Sequence, residues 1–251
     1  MAEQKGIFPL QGTIGNINFY KSGDGYHARG KGGPSALQIA TNPNFQRTRE
    51  NAAEFGTAAR ASKLLRTAFR TLLPSTPDER MVSRLNGKMV NVLQTDVQHA
   101  RGMRKVNDGN AGLLEGFEFN DAGKMSITFC AQYISDINRA TGELKITIPP
   151  FIPHNLVNAP QGATHFKLIA GGAEVDFENK SHSADLDCSV DLPWNSVPTA
   201  EIVLSNFVTA NSSLPLFLVL GIEFYQEVNE WMYPLKSGAH NALTIVKVSV
   251  E

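Results

Sequence analysis

Apolar and polar residues alternate in two short runs near the start of the chain, within GTIGNINFYKSGDGYHARGKGG at residues 12–33. A two-residue period on both sides of a Gly-Asp-Gly turn is typical of a β-hairpin. The GKGGPS that follows interrupts regular structure and is typical of a flexible connection. The pattern therefore predicts a β-hairpin arm over residues 1–33.

A helical period replaces this alternation in the next segment. Between Asn44 and Leu73 apolar residues recur at spacings of three and four with arginines between them, which predicts a long amphipathic helix. PSTPDE then supplies a stop, a cap at Thr76 and a proline at the first position of a second helix, expected from about Pro77 to Gln98. These two helices define a predicted helical segment over residues 34–110. The apolar stripe of the second comprises Val82, Leu85, Met89, Val92, Leu93 and Val97.

Beyond residue 110 the pattern changes to short β-type runs separated by turn signals such as NDAG, NRATG and PQG. Eight short strands with such turns predict an antiparallel β-sandwich over residues 111–251, and an α+β fold for the whole chain. The eight runs are LLEGFEF, KMSITFCAQYI, GELKITIP, THFKLIAGGAEV, SADLDCSVDL, AEIVLSNFV, LFLVLGIEFYQ and ALTIVKVSV.

Charge is distributed unevenly along the 251 residues, although the formal net charge is -1. Residues 1–110 hold sixteen basic and eight acidic residues, a net charge of +8, whereas residues 111–251 hold seven and sixteen, a net charge of -9. Such asymmetry is typical of nucleic-acid contact, of attraction between subunits, or of a solvated helical face. No base-reading motif accompanies the basic segment, so contact between unlike halves of neighbouring subunits is favoured over nucleic acid.

The sequence shows no signal of export or membrane insertion. The first residues lack a continuous apolar stretch, and LPLFLVLGIEF is too short to span a bilayer, so we expect cytoplasmic synthesis without insertion in a membrane. Cys130 and Cys188 lie in predicted strands and are expected to be buried free thiols, with a single disulfide as the alternative.

Candidate catalytic and ligand-binding patterns are weak. The opening glycines lack the strand and helix that flank a dinucleotide-binding loop, and the six histidines lack zinc-binding spacing. No nucleophile motif is present, and the carboxylates Glu118, Glu143, Glu223 and Glu227 carry no pairing signal. We therefore expect a protein that is not an enzyme, with no cofactor or metal.

One acidic segment, ENKSHSADLDC, is the nearest approach to a ligand cluster. Strand alternation places two of its carboxylates on one face and the thiol on the other. An exposed acidic strand is one interpretation, and a calcium site is the other. The residues concerned are Glu178, His182, Asp185, Asp187 and Cys188.

The first third of the chain resembles a group of uncharacterised Bacteroidota proteins. Members open with a G-x-x-G-x-x-x-x-Y hairpin that ends in arginine, matched here by Gly12, Gly15, Tyr20 and Arg29. An R-x-x-F helix follows in that group, and the segment with Arg49, Glu50, Asn51 and Phe55 resembles it loosely. The resemblance implies a helical region followed by β domains, and no known activity.

These observations predict a self-assembling structural subunit of a filament, tube, shell or phage-like particle. A two-stranded hairpin is marginal in water, and a flexible connection lets it pair with its own domain or with a neighbouring subunit. The arm would contribute Ile14, Ile17, Phe19, Tyr20 and Arg29, and the helical segment would contribute electrostatic contacts from Arg60, Lys63, Arg66 and Arg70.

Two other functional classes remain open. A carbohydrate- or ligand-binding sandwich would use exposed aromatic residues near Trp231. A hydrolase would need a concave pocket with converging catalytic groups.

Overall fold

The computed structural model describes residues 2–3, 9–235 and 238–250, and it divides the chain into two compact units, Met1–Glu50 and Asn51–Glu251. The protein is of the α+β class, and all its sheets are antiparallel. Residue 1 and residues 4–8 of the predicted arm lie outside the described residues.

The described residues of the first unit form a four-stranded sheet of order β1-β4-β3-β2. Its strands are β1 (Ala2–Glu3), β2 (Gly12–Ile14), β3 (Ile17–Ser22) and β4 (Gly25–Gly30), so two further short strands flank the pair that the sequence predicted. The predicted turn joins β3 and β4, with Ser22 opposite Gly25. The short helix α1 (Ala36–Thr41) begins where Ser35 and Gln38 cap each other.

The two longer helices, α2 (Gln46–Ala68) and α3 (Met81–Gln94), are shorter than the sequence predicted. Thr76 and Pro77 precede α3 instead of capping it, because Asp78 accepts the Arg80 N–H (2.7 Å) and pairs with Arg84 at the helix entry. After α3, the Thr95 hydroxyl donates to the Val92 carbonyl (2.6 Å). Val97 therefore lies outside the helix and is 87% exposed.

In the remaining part of the second unit, the residues that the structure describes form two sheets. Strand β11 is central in the larger one, because it pairs with β7 on one side and with β12 and β13 on the other, and β7 also pairs with β8 and β9. The smaller sheet has the order β10-β6-β5. The strands are β5 (Ile134–Asn138), β6 (Glu143–Ile148), β7 (His165–Asp176), β8 (Ser181–Cys188), β9 (Leu192–Pro193), β10 (Ile202–Phe207), β11 (Leu216–Val228), β12 (Trp231–Pro234) and β13 (Ala242–Ser249), and two short helices are α4 (Met125–Thr128) and α5 (Pro153–Leu156).

Two of the eight predicted strands are wrong. The predicted run KMSITFCAQYI contains α4 instead, because Met125, Thr128 and Phe129 are buried at helical spacing. Strand β5 begins only at the last residue of this run. LLEGFEF begins in a 3₁₀ turn and then follows β13, with Phe119 N–H donating to the Leu243 carbonyl (2.8 Å).

The core of the second unit lies on both faces of β7 and β11. On one face, Phe217 and Val219 pack with buried residues of α2 and α3, such as Leu65 and Met89. On the other, alternate residues of β11 pack with β6 and β10; this set includes Leu216, Leu218, Leu220, Ile146 and Leu204. Burial of both faces explains why the β7 and β11 segments are almost continuously apolar.

Candidate interaction surfaces

The N-terminal sheet separates the predicted anchors onto two faces. The register pairs Ile14 with Ile17, and strand alternation places Phe19 on the same face. Ile14 is 60% exposed and Ile17 is 46% exposed. Tyr20 lies on the opposite face, where the Arg29 guanidinium stands 5.2 Å from its ring centroid. One face is thus an exposed apolar surface, and the other carries a cation–π pair.

Three of the four cations predicted on one helical face, Arg60, Lys63 and Arg66, lie in α2, and the fourth, Arg70, lies beyond its end. Arg60 and Lys63 border a cleft beside α2. Arg66 is half-buried in α2, whereas Arg70 follows the end of the helix and borders a separate depression with His182 and Leu186. The structure therefore brings together the first two of these residues.

The cleft beside α2 has a volume of about 370 Å³ and combines an apolar floor with a basic rim. Its floor is formed by Ala61, Leu64, Val106 and Phe177. Its rim bears the cations Arg60, Lys63, Lys105 and Lys180, together with one carboxylate, Glu178. An apolar cavity with a cationic border is suited to an apolar group that carries negative charge.

Buried carboxylates fix two walls of this cleft. Asp96 accepts the backbone N–H of Lys105 (2.9 Å), and it also accepts the N–H groups of Gln98 and His99. Asp176 accepts the N–H groups of Glu178 and Asn179, both at 2.9 Å. These bonds order the segments that carry Lys105 and Phe177, so the cleft is formed before any partner binds.

The charges at the cleft border follow from these contacts. Lys105 Nζ lies 3.0 Å from Glu178 Oε1, and this hydrogen bond and the glutamate charge raise the pKa of Lys105. The hydrogen bonds of Asn179, with its side chain and backbone, lower the pKa of Asp176. The buried amide oxygen of Asn107, a residue of the cleft wall, has no hydrogen-bond partner among the described residues.

The turn between β11 and β12 exposes aromatic side chains. Val228 pairs with Trp231, so Asn229 and Glu230 form a two-residue turn in which both have positive φ, 52° and 67°. Trp231 is 71% exposed and Tyr233 is 56% exposed. An aromatic side chain beside a tight turn can enter a cavity with little loss of conformational entropy.

Two carboxylates of the acidic segment of β8 accept backbone N–H groups and so protect a sheet edge. Asp187 accepts the Ser205 N–H (2.9 Å) and Asp185 accepts the Phe207 N–H (2.8 Å), both on β10. Cys188 at the end of β8 is exposed, and Cys130 lies in a loop after α4 and is exposed as well. The prediction of buried thiols is therefore wrong, although both cysteines are free.

A different group, Asp96, His99 and Asp108, brings three candidate ligand atoms within 4.8 Å. Asp96 is already occupied by backbone N–H groups and by His99 Nδ1 (2.9 Å). Burial opposes ionisation of Asp96, but the N–H donors of Lys105, Gln98 and His99 outweigh it and lower the pKa of Asp96 to about 2. We interpret the group as a structural junction between α3 and the cleft wall.

The carboxylates considered for catalysis engage separate partners. Glu118 accepts the Met125 N–H (3.1 Å), and burial raises the pKa of Glu118. Glu223 accepts the Tyr225 hydroxyl (2.7 Å), and Glu227 lies 3.8 Å from His165 Nδ1. Glu143 contacts Ser205.

Sequence reasoning identified the exposed aromatic residues near Trp231 but missed the cleft. The cleft joins residues 57–67, 105–107 and 177–180, which are far apart along the chain, so no local pattern marks it. The spacing of basic residues in α2 indicated part of the cleft border, since it pointed to Arg60 and Lys63.

Comparison with known proteins identifies no family. No protein-family profile and no curated protein matches the chain. A solved structure from work on pH-induced modulation of Streptococcus parasanguinis adhesion by Fap1 fimbriae is similar over 40% of this chain and 69% of that chain, at 11% identity. Its TM-score of 0.19 is too low to support an argument about fold or function. Among the described residues, no helix has the length and apolar character needed to cross a membrane.

Proposed function

We propose that the protein is a non-enzymatic, self-assembling structural subunit of a filament, tube, shell or phage-like particle, coupled to its neighbours by the N-terminal sheet. The observation that carries this proposal is that no described residue of Met1–Glu50 is buried. A small sheet with both faces in water gains little hydrophobic stabilisation and needs a partner surface. The apolar face with Ile14, Ile17 and Phe19 supplies the contact.

The body that receives this contact is proposed to be the β-sandwich formed by the sheets of β6 and β11. Two of its edges are already covered, since Asp185 and Asp187 cap β10, and residues 116–119 follow β13. An added strand would therefore pair elsewhere, and the apolar face of the arm would pack on the neighbour. An exchange that does not close produces a filament, and one that closes produces a ring.

Mass measurement in solution tests the proposal. We expect full-length protein to form large regular particles in light scattering and negative-stain images. Replacing Ile14 and Ile17 with serine should reduce the particle mass, whereas Leu37→Ser, at an exposed apolar residue of α1, serves as the control. Deleting residues 1–33 should leave a folded protein that no longer forms the large particles. A monomer for the unmodified chain at every concentration and salt level would contradict self-assembly.

A ligand-binding module is the second candidate, because Trp231 and Tyr233 occupy alternate, exposed positions of β12. Alternate residues of a strand share one face, and exposed aromatic rings on one face can stack on sugars. Titration of soluble polysaccharides against tryptophan fluorescence tests this function. Saturable quenching that Trp231→Ala abolishes would support the module, and unchanged emission across the panel would reject it.

A further inference from the structure

We infer that the cleft beside α2 binds the β11–β12 turn of a second copy of this chain, with Trp231 inserted on its apolar floor. The inference rests on the proposed self-assembly, and it names a second contact that does not involve the N-terminal sheet. Its elements are the cleft bordered by Arg60 and Lys63 and the turn formed by Asn229 and Glu230.

The sizes and apolar surfaces of the two partners agree. The cleft volume of about 370 Å³ lies at the lower end of the range of about 300–1,000 Å³ for ligand pockets, which suits one large side chain. Trp231, at 71% exposure, is the most exposed aromatic side chain among the large apolar residues described. Tryptophan anchors that enter a preformed pocket dominate the energy of many protein interfaces.

The charges around the two partners are opposite. The cleft border has four cations and a single anion, a net charge of +3. The turn carries Glu230 directly beside Trp231. Glu227 immediately precedes Val228, the residue that pairs with Trp231. Opposite potentials of this kind increase the rate of association and select the orientation of docking.

The two partners lie at opposite ends of the β7–β11 pair, so one chain cannot bind its own turn. Residue Tyr225 pairs with His165 at one end of β7, and the cleft residue Phe177 follows the other end. About fifteen strand positions, or about 50 Å of strand, separate Phe177 from Val228. The contact is therefore head-to-tail between copies, which is the geometry that propagates a filament or closes a ring.

Emission from Trp231 in the full-length protein tests this contact. Trp194→Phe leaves Trp231 as the single tryptophan. With rising protein concentration, we expect its emission to shift to shorter wavelength and its quenching by acrylamide to fall several-fold. Lys63→Glu in the cleft border should abolish both changes, and Lys88→Glu on α3 is the control with the same change of charge. Circular dichroism verifies that each variant is folded.

The outcomes separate this inference from the proposed function. Protection of Trp231 that depends on Lys63 supports the contact, including when the Ile14 and Ile17 variant no longer forms particles. Particles in which Trp231 remains fully quenchable overturn the inference and leave self-assembly through the arm intact. Protection by an added polysaccharide, without concentration dependence, overturns it in favour of a ligand-binding module. A strict monomer contradicts both proposals.

Discussion

At the scale of single residues, a buried carboxylate organises the cleft wall. Asp96 is 1% exposed and accepts hydrogen bonds from three backbone N–H groups and the His99 ring. An ionised carboxylate that accepts several N–H groups is stabilised relative to its protonated form. The pKa of Asp96 accordingly falls from its ordinary value of 3.8 to about 2.

This depressed pKa predicts a defined pH dependence of stability. Because the folded pKa lies below the unfolded one, ionised Asp96 stabilises the fold fully above pH 3.8, and this stabilisation is lost as pH falls towards about 2. We expect Asp96→Asn to lower the free energy of unfolding at pH 7, and the difference from the unmodified protein to narrow below pH 3.8. Urea unfolding of both proteins at several pH values measures this difference in the free energy of unfolding.

The neighbouring Asp108 provides the matched control. Its side chain is 40% exposed and lies 3.7 Å from His99 Nδ1. Asp108→Asn should change stability little at any of these pH values. Equal losses for the two variants would show that removal of charge, and not the hydrogen-bond geometry of Asp96, determines the effect.

Glu230 is held in a conformation that suits glycine better. Its φ of 67° lies in the left-handed region, and this conformation costs a residue with a side chain about 1–2 kcal/mol. We expect Glu230→Gly to increase the free energy of unfolding by about 0.5–1 kcal/mol, since Asn-Gly is favoured in such two-residue turns. Chemical unfolding measures the change, and Asn229→Gly should have a smaller effect. The opposite sign for Glu230→Gly would refute the strain argument.

At the scale of elements, two adjacent glycines show how closely both faces of β7 are packed. A Cβ at Gly172 would lie 2.8 Å from Asn206 Cβ, on the side of β10. A Cβ at Gly171 would lie 3.2 Å from Leu72 Cδ1, on the side of the helices. The strand therefore requires glycine at these positions because layers on both sides approach its backbone.

Alanine substitutions of opposite sign test this packing. We expect Gly172→Ala to destabilise the protein by about 1–3 kcal/mol, because overpacking forces the neighbouring layer to move. Gly87→Ala in α3 should instead stabilise it by about 0.5–1 kcal/mol, since the new methyl group meets no atom within 4 Å and alanine favours the helix. Thermal unfolding measures both changes. A stabilising Gly172→Ala would mean that β10 and β7 are less tightly packed than described.

The elements that the sequence predicted well are those with a clear local period. The alternation around SGDG located β3 and β4, and six of eight predicted runs became strands. Errors arose where a side-chain contact, and not the local period, decided the structure. Asp78, by binding Arg80 and Arg84, moved the start of α3 past Thr76. The cleft could not be predicted, since its walls depend on Asp96 and Asp176 binding backbone N–H groups.

At the scale of the whole molecule, two contacts of different physical character are proposed. The arm contact is mainly apolar, through Ile14 and Ile17, and the cleft contact is assisted by charge, through Lys63 and Glu230. At 0.1 M ionic strength, salt largely screens the attraction between exposed charges that are more than about 10 Å apart, whereas apolar burial is not weakened by screening. The opposite net charges of the two halves of the chain would thus strengthen the cleft contact more than the arm contact.

This difference leads to a prediction about combined variants. Contacts at separate surfaces contribute independently to association. The combined variant should therefore lose the sum of two free energies of association, that lost by the Ile14 and Ile17 serine variant and that lost by Lys63→Glu, within about 0.5 kcal/mol. Salt should weaken association of the serine variant, which retains the cleft contact, more than association of Lys63→Glu. Sedimentation velocity of the unmodified, single-surface and combined variants measures both effects. A strong coupling energy would mean instead that the arm itself occupies the cleft, because each variant would then remove the same contact.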